Sequence, residues 1–349
     1  MTVLNKKIVD TLEQPLFLGE GLSLQRYDKN RYPIFIDLYT KQREFNWNPE
    51  EINLTKDRAD YKDLTESEKF IFTSNLKFQT MMDSVIARGI PNVRQYVSCP
   101  ELEACMTEWE RFETLHSFSY TYLIKNVYAE PSKIMDSVLE DPEILKRADS
   151  VCSSYDALEK KFRDENNLRK QIYLTLVDIN VLEGVRFYVS FACALAFEQN
   201  AKMCGNAKII DLIKRDEGVH ISITQNIINI LRKEKSEGFQ EIIKESEEEA
   251  IKIFLSAASE EKEWASYLFK DGGLIGLNEH ILHQYIEWLT DTRLNNLGLP
   301  KQFNTKNPIS WLGMDSKKRQ VAPQEQEVTS YKIGASVNDV DDMDFNFME

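Results

Sequence analysis

Two of the four histidines in this chain each follow a glutamate by three residues, within long stretches of helical periodicity. The pairs are Glu113 with His116 and Glu217 with His220. Residues three apart lie on the same face of an α-helix, so each pair can direct a carboxylate and an imidazole to one point. Two such helices packed face to face could surround a pair of metal ions if two further helices each supplied a carboxylate. This requirement predicts a four-helix core.

Two other helical stretches contain acids that could meet this requirement. Asp83 lies near apolar residues of one stretch, and taken alone it favours neither a structural nor a ligand role. Glu183 lies in a strongly apolar stretch, where an unpaired ionised glutamate would be costly, although Arg186 or Arg215 could pair with it. The four carboxylates carry four negative charges, which would balance the charge of two divalent cations. The combination of carboxylate oxygens with imidazole nitrogens favours iron or manganese. The predicted ligands are Asp83, Glu113, His116, Glu183, Glu217 and His220.

Tyr120 follows His116 by four residues, so at about 100° per residue the two share a helix face. A phenol in this position is close enough to be oxidised by a high-valent di-iron centre, but a radical persists only where water is excluded. Phe187, Phe191 and Ile213 lie one or two turns from predicted ligands and could enclose the phenol, although such residues are usually plain core. The shared face favours a redox role for Tyr120 over simple core packing.

The helical periodicity extends from residue 31 to 300, and no stretch alternates well enough to indicate a sheet. Thr65 and Glu68 form a capping-box pattern, Gly89 and Pro91 are expected to stop the helix that follows, and Pro100 suits a first helical turn. We predict an all-α, ferritin-like bundle with a di-metal carboxylate site in its four-helix core. The predicted helices are 31–44, 65–87, 100–127, a short one after Pro131, 153–162, 168–203, 205–235, 239–270 and 274–296.

The chain is predicted to have three parts: an irregular arm over residues 1–30, a helical domain over 31–311 and a flexible tail over 312–349. The end of the tail is acidic, yet it carries Tyr331, Phe345 and Phe347. Large apolar side chains on an acidic segment favour docking into a partner's groove over an end that only keeps the chain soluble.

Charge and cysteine content limit the partners and the compartment. The net charge of −14 argues against a nucleic-acid groove or an anionic membrane surface. By this reading no apolar run approaches the length of a membrane span, and the N-terminal residues lack the apolar core of a signal peptide. Five cysteines without a C-x-x-C pair are typical of reduced, buried thiols. We therefore expect a cytoplasmic protein without nucleic-acid or membrane partners.

Six stretches are long and specific enough to compare with known families: FNWNPEE, NLKFQTMMDS, FETLHSFSY, LEGVRFYVSFAC, GNAKIIDLIKRDEGVH and VAPQEQEVTSY. They resemble the small, radical-generating subunit of class I ribonucleotide reductase of the bacterial di-iron type, and the resemblance covers nearly the whole chain. It implies an oxidoreductase that acts with a large catalytic subunit. The pair would reduce ribonucleoside diphosphates to deoxyribonucleotides for DNA-precursor synthesis.

The resemblance also implies roles for particular residues. Two iron ions joined by an oxo bridge, with manganese as the alternative, would use dioxygen to generate a radical that Tyr120 stores. Trp47 and Asp216 would link the metal site to the surface, and Tyr331 would relay the oxidation to the large subunit. The last residues of the tail would bind that subunit, and a homodimer is expected. One ion would be bound by Asp83, Glu113 and His116. The other would be bound by Glu183, Glu217 and His220. Glu113 and Glu217 would also bridge the two ions.

Two other functions are open from the residues alone. A ferritin-like oxidase or monooxygenase would have a substrate cavity at the metals and would need neither Tyr331 nor an acidic aromatic tail. An iron-storage or scaffold protein would be a shorter, cage-forming bundle with exposed acidic channels, which a chain of 349 residues with a long tail fits poorly.

Overall fold

The computed structural model describes residues 5–22 and 24–312, so Tyr331 and residues 313–349 of the predicted tail lie outside the described residues. Within the described ranges the regular structure is helical apart from two isolated β-bridges, which confirms the all-α prediction. The α-helices are α1 Ile34–Glu44, α2 Thr55–Asp63, α3 Glu66–Arg94, α4 Pro100–Val127, α5 Pro131–Asp136, α6 Pro142–Ala157, α7 Glu165–Val181, α8 Tyr188–Gln199, α9 Cys204–Lys233, α10 Gln240–Glu245, α11 Glu247–Leu268 and α12 Glu279–Asn296.

Four long segments form the centre of the bundle: α3, α4, α9, and the run from α7 to α8. A π-helical turn, Leu182–Arg186, joins α7 to α8. The apolar faces of these segments are buried against one another in one continuous core. α6 packs on α3 and α7, while α11 and α12 cover α7 and the π turn. Each central segment carries predicted metal ligands, so the packing of four helices positions the site as a ferritin-like core requires.

The start of α3 was predicted well and its end was not. The Thr65 oxygen accepts the backbone N–H of Glu68 while the Glu68 side chain accepts that of Thr65, which is a complete capping box. The helix then continues through Gly89 and Pro91 to Arg94, so the predicted stop near residue 87 is wrong. A Cβ at Gly89 would meet the Tyr155 ring at 2.6 Å, which shows that this glycine serves the packing of α6 on α3.

Other boundaries also differ from the sequence predictions. α4 covers residues 100–127 as predicted, with Pro100 in its first turn. α6 begins at Pro142, well before the predicted 153, because Asp141 caps its N-terminus by accepting the Glu143 amide. The predicted helices 239–270 and 274–296 are α10 with α11, and a shorter α12.

The polar helix α2 was not predicted because its nine residues show little apolar periodicity. Its one buried side chain is Asp57, whose carboxylate accepts the backbone N–H groups of Gly205 and Asn206 at 3.1 and 2.6 Å. These N–H groups belong to the first turn of α9, which has no capping side chain of its own at Met203. α2 therefore helps to fix the N-terminus of a ligand-bearing helix.

The long segment Glu165–Gln199 corrects one further expectation. By length and composition alone it could cross a membrane, whereas the sequence had suggested that no run approaches that length. Every residue of its apolar window is buried inside the bundle, as in the core helix of a water-soluble protein. Its apolar character is explained by its place at the centre of the fold.

Gly89→Ala should destabilise the fold by about 1–3 kcal/mol because the added methyl group would overlap the buried Tyr155 ring. Alanine is the better helix former by about 1 kcal/mol, so propensity and packing predict opposite signs. Urea denaturation followed by circular dichroism should show a lower midpoint for this variant. Gly21→Ala is the control, since its Cβ would meet no atom within 4 Å. A midpoint for Gly89→Ala at or above that of the parent would contradict the packing argument.

Candidate metal centre

The six predicted ligands converge between the four central segments. Each of their side chains is 0% exposed. Their ligand atoms form two groups, and within each group the atoms lie within 4.8 Å of one another. Because two glutamates belong to both groups, the arrangement suits two neighbouring cations with two shared carboxylates. The first group is Asp83, Glu113, His116 and Glu217, and the second is Glu113, Glu183, Glu217 and His220.

Both imidazoles present Nδ1 to the carboxylates. The His116 Nδ1 atom lies 3.0 Å from Oε1 of Glu217 and 3.8 Å from Oδ2 of Asp83. The His220 Nδ1 atom lies 3.0 Å from Oε1 of Glu113 and 2.8 Å from Oε2 of Glu217. Each histidine therefore contacts a glutamate of the opposite helix as well as sharing a face with its own. The Glu-x-x-His pairs of α4 and α9 face each other, as the sequence predicted.

The electrostatics of the site follow from burying more acids than bases. Burial, together with repulsion from neighbouring carboxylates, raises the pKa of Asp83 and of Glu183 well above the usual range. At Glu217 burial is outweighed by His116 and His220, which lower its pKa. The same attraction overcomes burial at His220 and raises its pKa to about 8. In the absence of bound cations, protons on these side chains would neutralise the excess negative charge of the site.

Many buried polar atoms of the site have no hydrogen-bond partner within the described chain. Such atoms cost free energy unless something satisfies them, and here they are concentrated at one place. A pair of cations would satisfy all of them at once, and oxygen donors with one nitrogen per group suit iron or manganese. The unpartnered ligand atoms are both carboxylate oxygens of Asp83 and of Glu183, one oxygen each of Glu113 and Glu217, and Nδ1 of His116.

The alternative ion pairs considered for Glu183 are not formed. Nη1 of Arg186 lies 2.7 Å from Oε2 of Glu260, on α11. Nη2 of Arg215 lies 3.1 Å from Oδ1 of Asp216. Both arginines are thus engaged elsewhere, and Glu183 is left facing the other acids of the second group.

Trp109 belongs to the site and was missed by the sequence reasoning. Its indole N–H donates to Oε1 of Glu113 at 2.7 Å, and its ring stacks on His220 with centroids 5.0 Å apart. The tryptophan thereby fixes one shared glutamate of α4 and one imidazole of α9. Its position one turn before Glu113 was a usable signal, because residues four apart share a helix face.

Trp47, Asp216 and His116 form a hydrogen-bonded chain. The Trp47 indole N–H donates to Oδ2 of Asp216 at 2.7 Å, and the same oxygen lies 3.3 Å from Nε2 of His116. Arg215 donates to the other oxygen of Asp216 and to the backbone carbonyl of Phe45. The chain runs from the cluster to Trp47, which is 6% exposed. The structure therefore brings together the residues that the resemblance connected.

Tyr120 is fully buried, and its hydroxyl has no hydrogen-bond partner in the described chain. Burial raises its pKa well above the usual value, and the neighbouring Asp83 carboxylate adds to this rise. Phe187, Phe191 and Ile213 are likewise buried, and the two phenylalanine rings stack at 5.7 Å. The structure provides a dry surrounding for the phenol, while direct enclosure of Tyr120 by these three residues stays a prediction.

Two solved structures have a fold similar to that of this chain. The ribonucleotide reductase R2 subunit from Clostridium botulinum matches with a TM-score of 0.79 and 26% identity, over 89% of this chain and 96% of that chain. The dimanganese(II)-NrdF of Streptococcus sanguinis matches with a TM-score of 0.66 over 82% and 94% of the two chains. At 20% identity the second likeness shows the fold alone.

Sequence relatives extend over the whole chain. A protein of Haemophilus influenzae named ribonucleoside-diphosphate reductase subunit beta is 44% identical, over 97% of this chain and 96% of its own length. A protein of the same name from Buchnera aphidicola subsp. Acyrthosiphon pisum is 42% identical, over 100% of this chain and 99% of its own length. The family model described as "Ribonucleotide reductase, small chain" matches residues 26–308. This chain therefore belongs to the family of ribonucleotide reductase small chains.

Proposed function

We propose that this protein is the radical-generating subunit of a reductase that converts ribonucleoside diphosphates to deoxyribonucleotides. The observation that carries the proposal is the pair of overlapping, fully buried ligand groups with Tyr120 beside them. The names of the Haemophilus and Buchnera relatives support the choice of ribonucleoside diphosphates as substrates. The large subunit would bind and reduce the nucleotide, and this chain would supply the oxidising equivalent.

The proposed cofactor is a pair of iron ions, with manganese as the alternative. Four carboxylates carry the charge that balances two divalent cations, and one imidazole per group suits either metal. Both metals accept the same oxygen and nitrogen ligands. Glu113 and Glu217 would bridge the ions, Asp83 and His116 would complete one coordination shell, and Glu183 and His220 the other.

The two ions, when bound in their reduced form, would supply two of the four electrons that cleave dioxygen, together with the oxidising strength needed to oxidise a phenol. Tyr120 would give the third electron, and an external one-electron reductant, acting through Trp47, would give the fourth. Tyr120 must then lose its proton together with the electron. Its raised pKa disfavours a phenolate, and a dry pocket disfavours a charged radical cation. The neutral tyrosyl radical is the product that this environment tolerates. Phe187, Phe191 and Ile213 would protect it by excluding water and reductants.

The stored equivalent would leave through the chain of His116, Asp216 and Trp47, because its hydrogen bonds connect the ligand group with a residue outside the four central segments. Tyr331 would continue the path, and the tail after residue 312 would dock on the large subunit. We further propose that the chain forms a homodimer and acts in the cytoplasm, as expected from the resemblance.

A ferritin-like oxidase is the less favoured function. Such an enzyme must admit an organic substrate to its metals, whereas all six ligands and Tyr120 are 0% exposed. Iron storage needs ions to enter and leave freely, which the same burial opposes. Complete burial instead suits a cofactor that is loaded once and then insulated.

Metal affinity should rise with pH through the pKa of His220, which is about 8. Protons held by Asp83, Glu183 and the imidazoles must leave before cations bind, and they include the proton of His220. Calorimetric titration of metal-free protein with Mn(II), in buffers of different ionisation enthalpy, should report two ions per chain and release of protons. Equal affinity at pH 6 and pH 8, with no proton release, would contradict the proposed site.

Tyr120→Phe should keep both metal ions and lose the radical. The change removes one hydroxyl that has no hydrogen-bond partner, so the fold and the ligand groups should be little affected. Reconstitution with Fe(II) and oxygen should give normal iron content but no tyrosyl EPR signal. Tyr128→Phe is the matched control, since Tyr128 is also buried, directly after the last residue of α4, but its hydroxyl contacts Thr73. A normal radical signal in Tyr120→Phe would refute the assignment.

Tyr331→Phe and a truncation before Val340 should separate relay from docking. The substitution should leave the resting radical and large-subunit binding intact while abolishing nucleotide reduction. The truncation should weaken binding, as measured by calorimetry with the large subunit, while iron content and radical yield stay normal. Turnover by Tyr331→Phe would exclude the relay, and unchanged affinity of the truncated chain would exclude tail docking.

A further inference from the structure

Glu183 projects from an unusual piece of backbone. The π turn Leu182–Arg186 interrupts what is otherwise a continuous run of α-helix from Glu165 to Gln199, and all five of its residues are buried. A π turn is rare in an α-helix and occurs mostly at functional sites. Neighbouring groups must therefore favour this geometry over a regular α-helical turn. Two arginines contribute, one from α12 and one from the turn itself.

Arg293 of α12 binds the π turn directly. Its Nε–H donates to the carbonyl oxygen of Gly184 at 3.3 Å, and its Nη2 donates to the hydroxyl of Tyr188 at 3.1 Å. A Cβ at Gly184 would lie 2.9 Å from Nε of Arg293 and 3.1 Å from its Cδ atom. Glycine is therefore needed next to Glu183 for the arginine to approach the backbone so closely.

Arg186, the last residue of the turn, is held by two further helices. Its Nη1 donates to Oε2 of Glu260 in α11 at 2.7 Å, and its Nη2 donates to Oγ of Ser150 in α6 at 3.2 Å. The Arg186 side chain is 2% exposed, so these charge-assisted bonds operate away from water. α6, α11 and α12 thus all hold the segment that carries Glu183.

We propose that Arg293 and Arg186 are positioning residues for the second metal ion, because they fix the π turn that directs Glu183 into the second ligand group. The inference rests on the proposed di-metal function. Glu183 belongs to the second group alone, whereas Glu113 and Glu217 belong to both. Loosening the turn should therefore weaken the second ion selectively and leave the first group of ligands intact.

Mn(II) binding to the full-length, metal-free protein tests this selectivity. Arg293→Ala should lower the affinity for the second ion by about 10–100-fold, which is typical for loss of a group that orients a metal ligand. The affinity for the first ion should be unchanged. EPR at two equivalents should show the sharp signal of a lone Mn(II) ion in place of the broad signal of a coupled pair. Arg293→Lys, which keeps the positive charge and one donor nitrogen, should restore part of the affinity.

Gly184→Ala provides an independent test of the same contact. The new methyl group would displace the Arg293 side chain, so this variant should also weaken the second ion. In the Arg293→Ala background, where that side chain is gone, Gly184→Ala should have little further effect, and the two losses should be strongly non-additive. If Arg293→Ala does not fold, Gly184→Ala and Arg293→Lys still allow the comparison.

Arg232→Ala is the matched control. Arg232 also donates from its guanidinium to backbone carbonyls, those of Leu297 and Gly298, but it lies twelve residues beyond His220 on α9, about 18 Å along the helix axis. Arg232→Ala should leave the affinities for the first and the second Mn(II) ion unchanged. If the parent protein fails to bind two Mn(II) ions, the proposed function itself is wrong. If the parent binds two, and Arg293→Ala binds both normally or loses both equally, the positioning role is wrong.

Discussion

Burying four carboxylates in one helical core is the constraint on which the rest of this structure depends. Each charge taken out of water costs several kcal/mol unless it is compensated. The contrast with a second buried cluster is instructive, since Arg147 and Arg186 pair there with Glu261 and Glu260, and the charges balance within the protein. At the candidate metal centre the acids outnumber the bases. Binding of cations would therefore stabilise the folded chain in the same step that creates the cofactor.

The groups around the ligands decide which atoms face the metals. Asp216 engages Nε2 of His116, which leaves Nδ1 of that ring directed at the carboxylates. At His220 the Nδ1 atom faces the carboxylates too, but the ring is fixed by stacking on Trp109 instead of by an acid. The two histidines are thus oriented by different means, and each means comes from a helix other than the one that carries the histidine.

What could be predicted from the sequence was local, and what was missed depended on tertiary packing. The Glu-x-x-His pairs and the capping box at Thr65 are fixed by spacing along one helix. The structure brings the two pairs together and confirms the capping box, while the role of the pairs as metal ligands stays a prediction. The end of α3 was missed because a glycine followed by a proline is typical of a helix end. In the structure Gly89 is required by the packing of α6 on α3, which the sequence does not reveal. The π turn was missed because the apolar run around Glu183 has no periodicity that distinguishes it from a regular helix. Pairing of Trp47 with Asp216, 169 residues apart, rested on resemblance and not on spacing.

The proposed function requires the protein both to isolate an oxidant and to connect it with a partner, and the structure separates these tasks spatially. Tyr120 is fully buried, so water and dissolved reductants would be kept away from a neutral radical there. Trp47 is bonded through Asp216 to His116, and Arg215 fixes that carboxylate in place. Transfer of an electron along this chain, as proposed, would be coupled to proton shifts within its two hydrogen bonds of 2.7 and 3.3 Å. In the proposed function, storage would depend on the burial of one phenol, whereas conduction would depend on hydrogen bonds to one indole. The ligand His116 lies one helical turn from Tyr120 and two hydrogen bonds from Trp47.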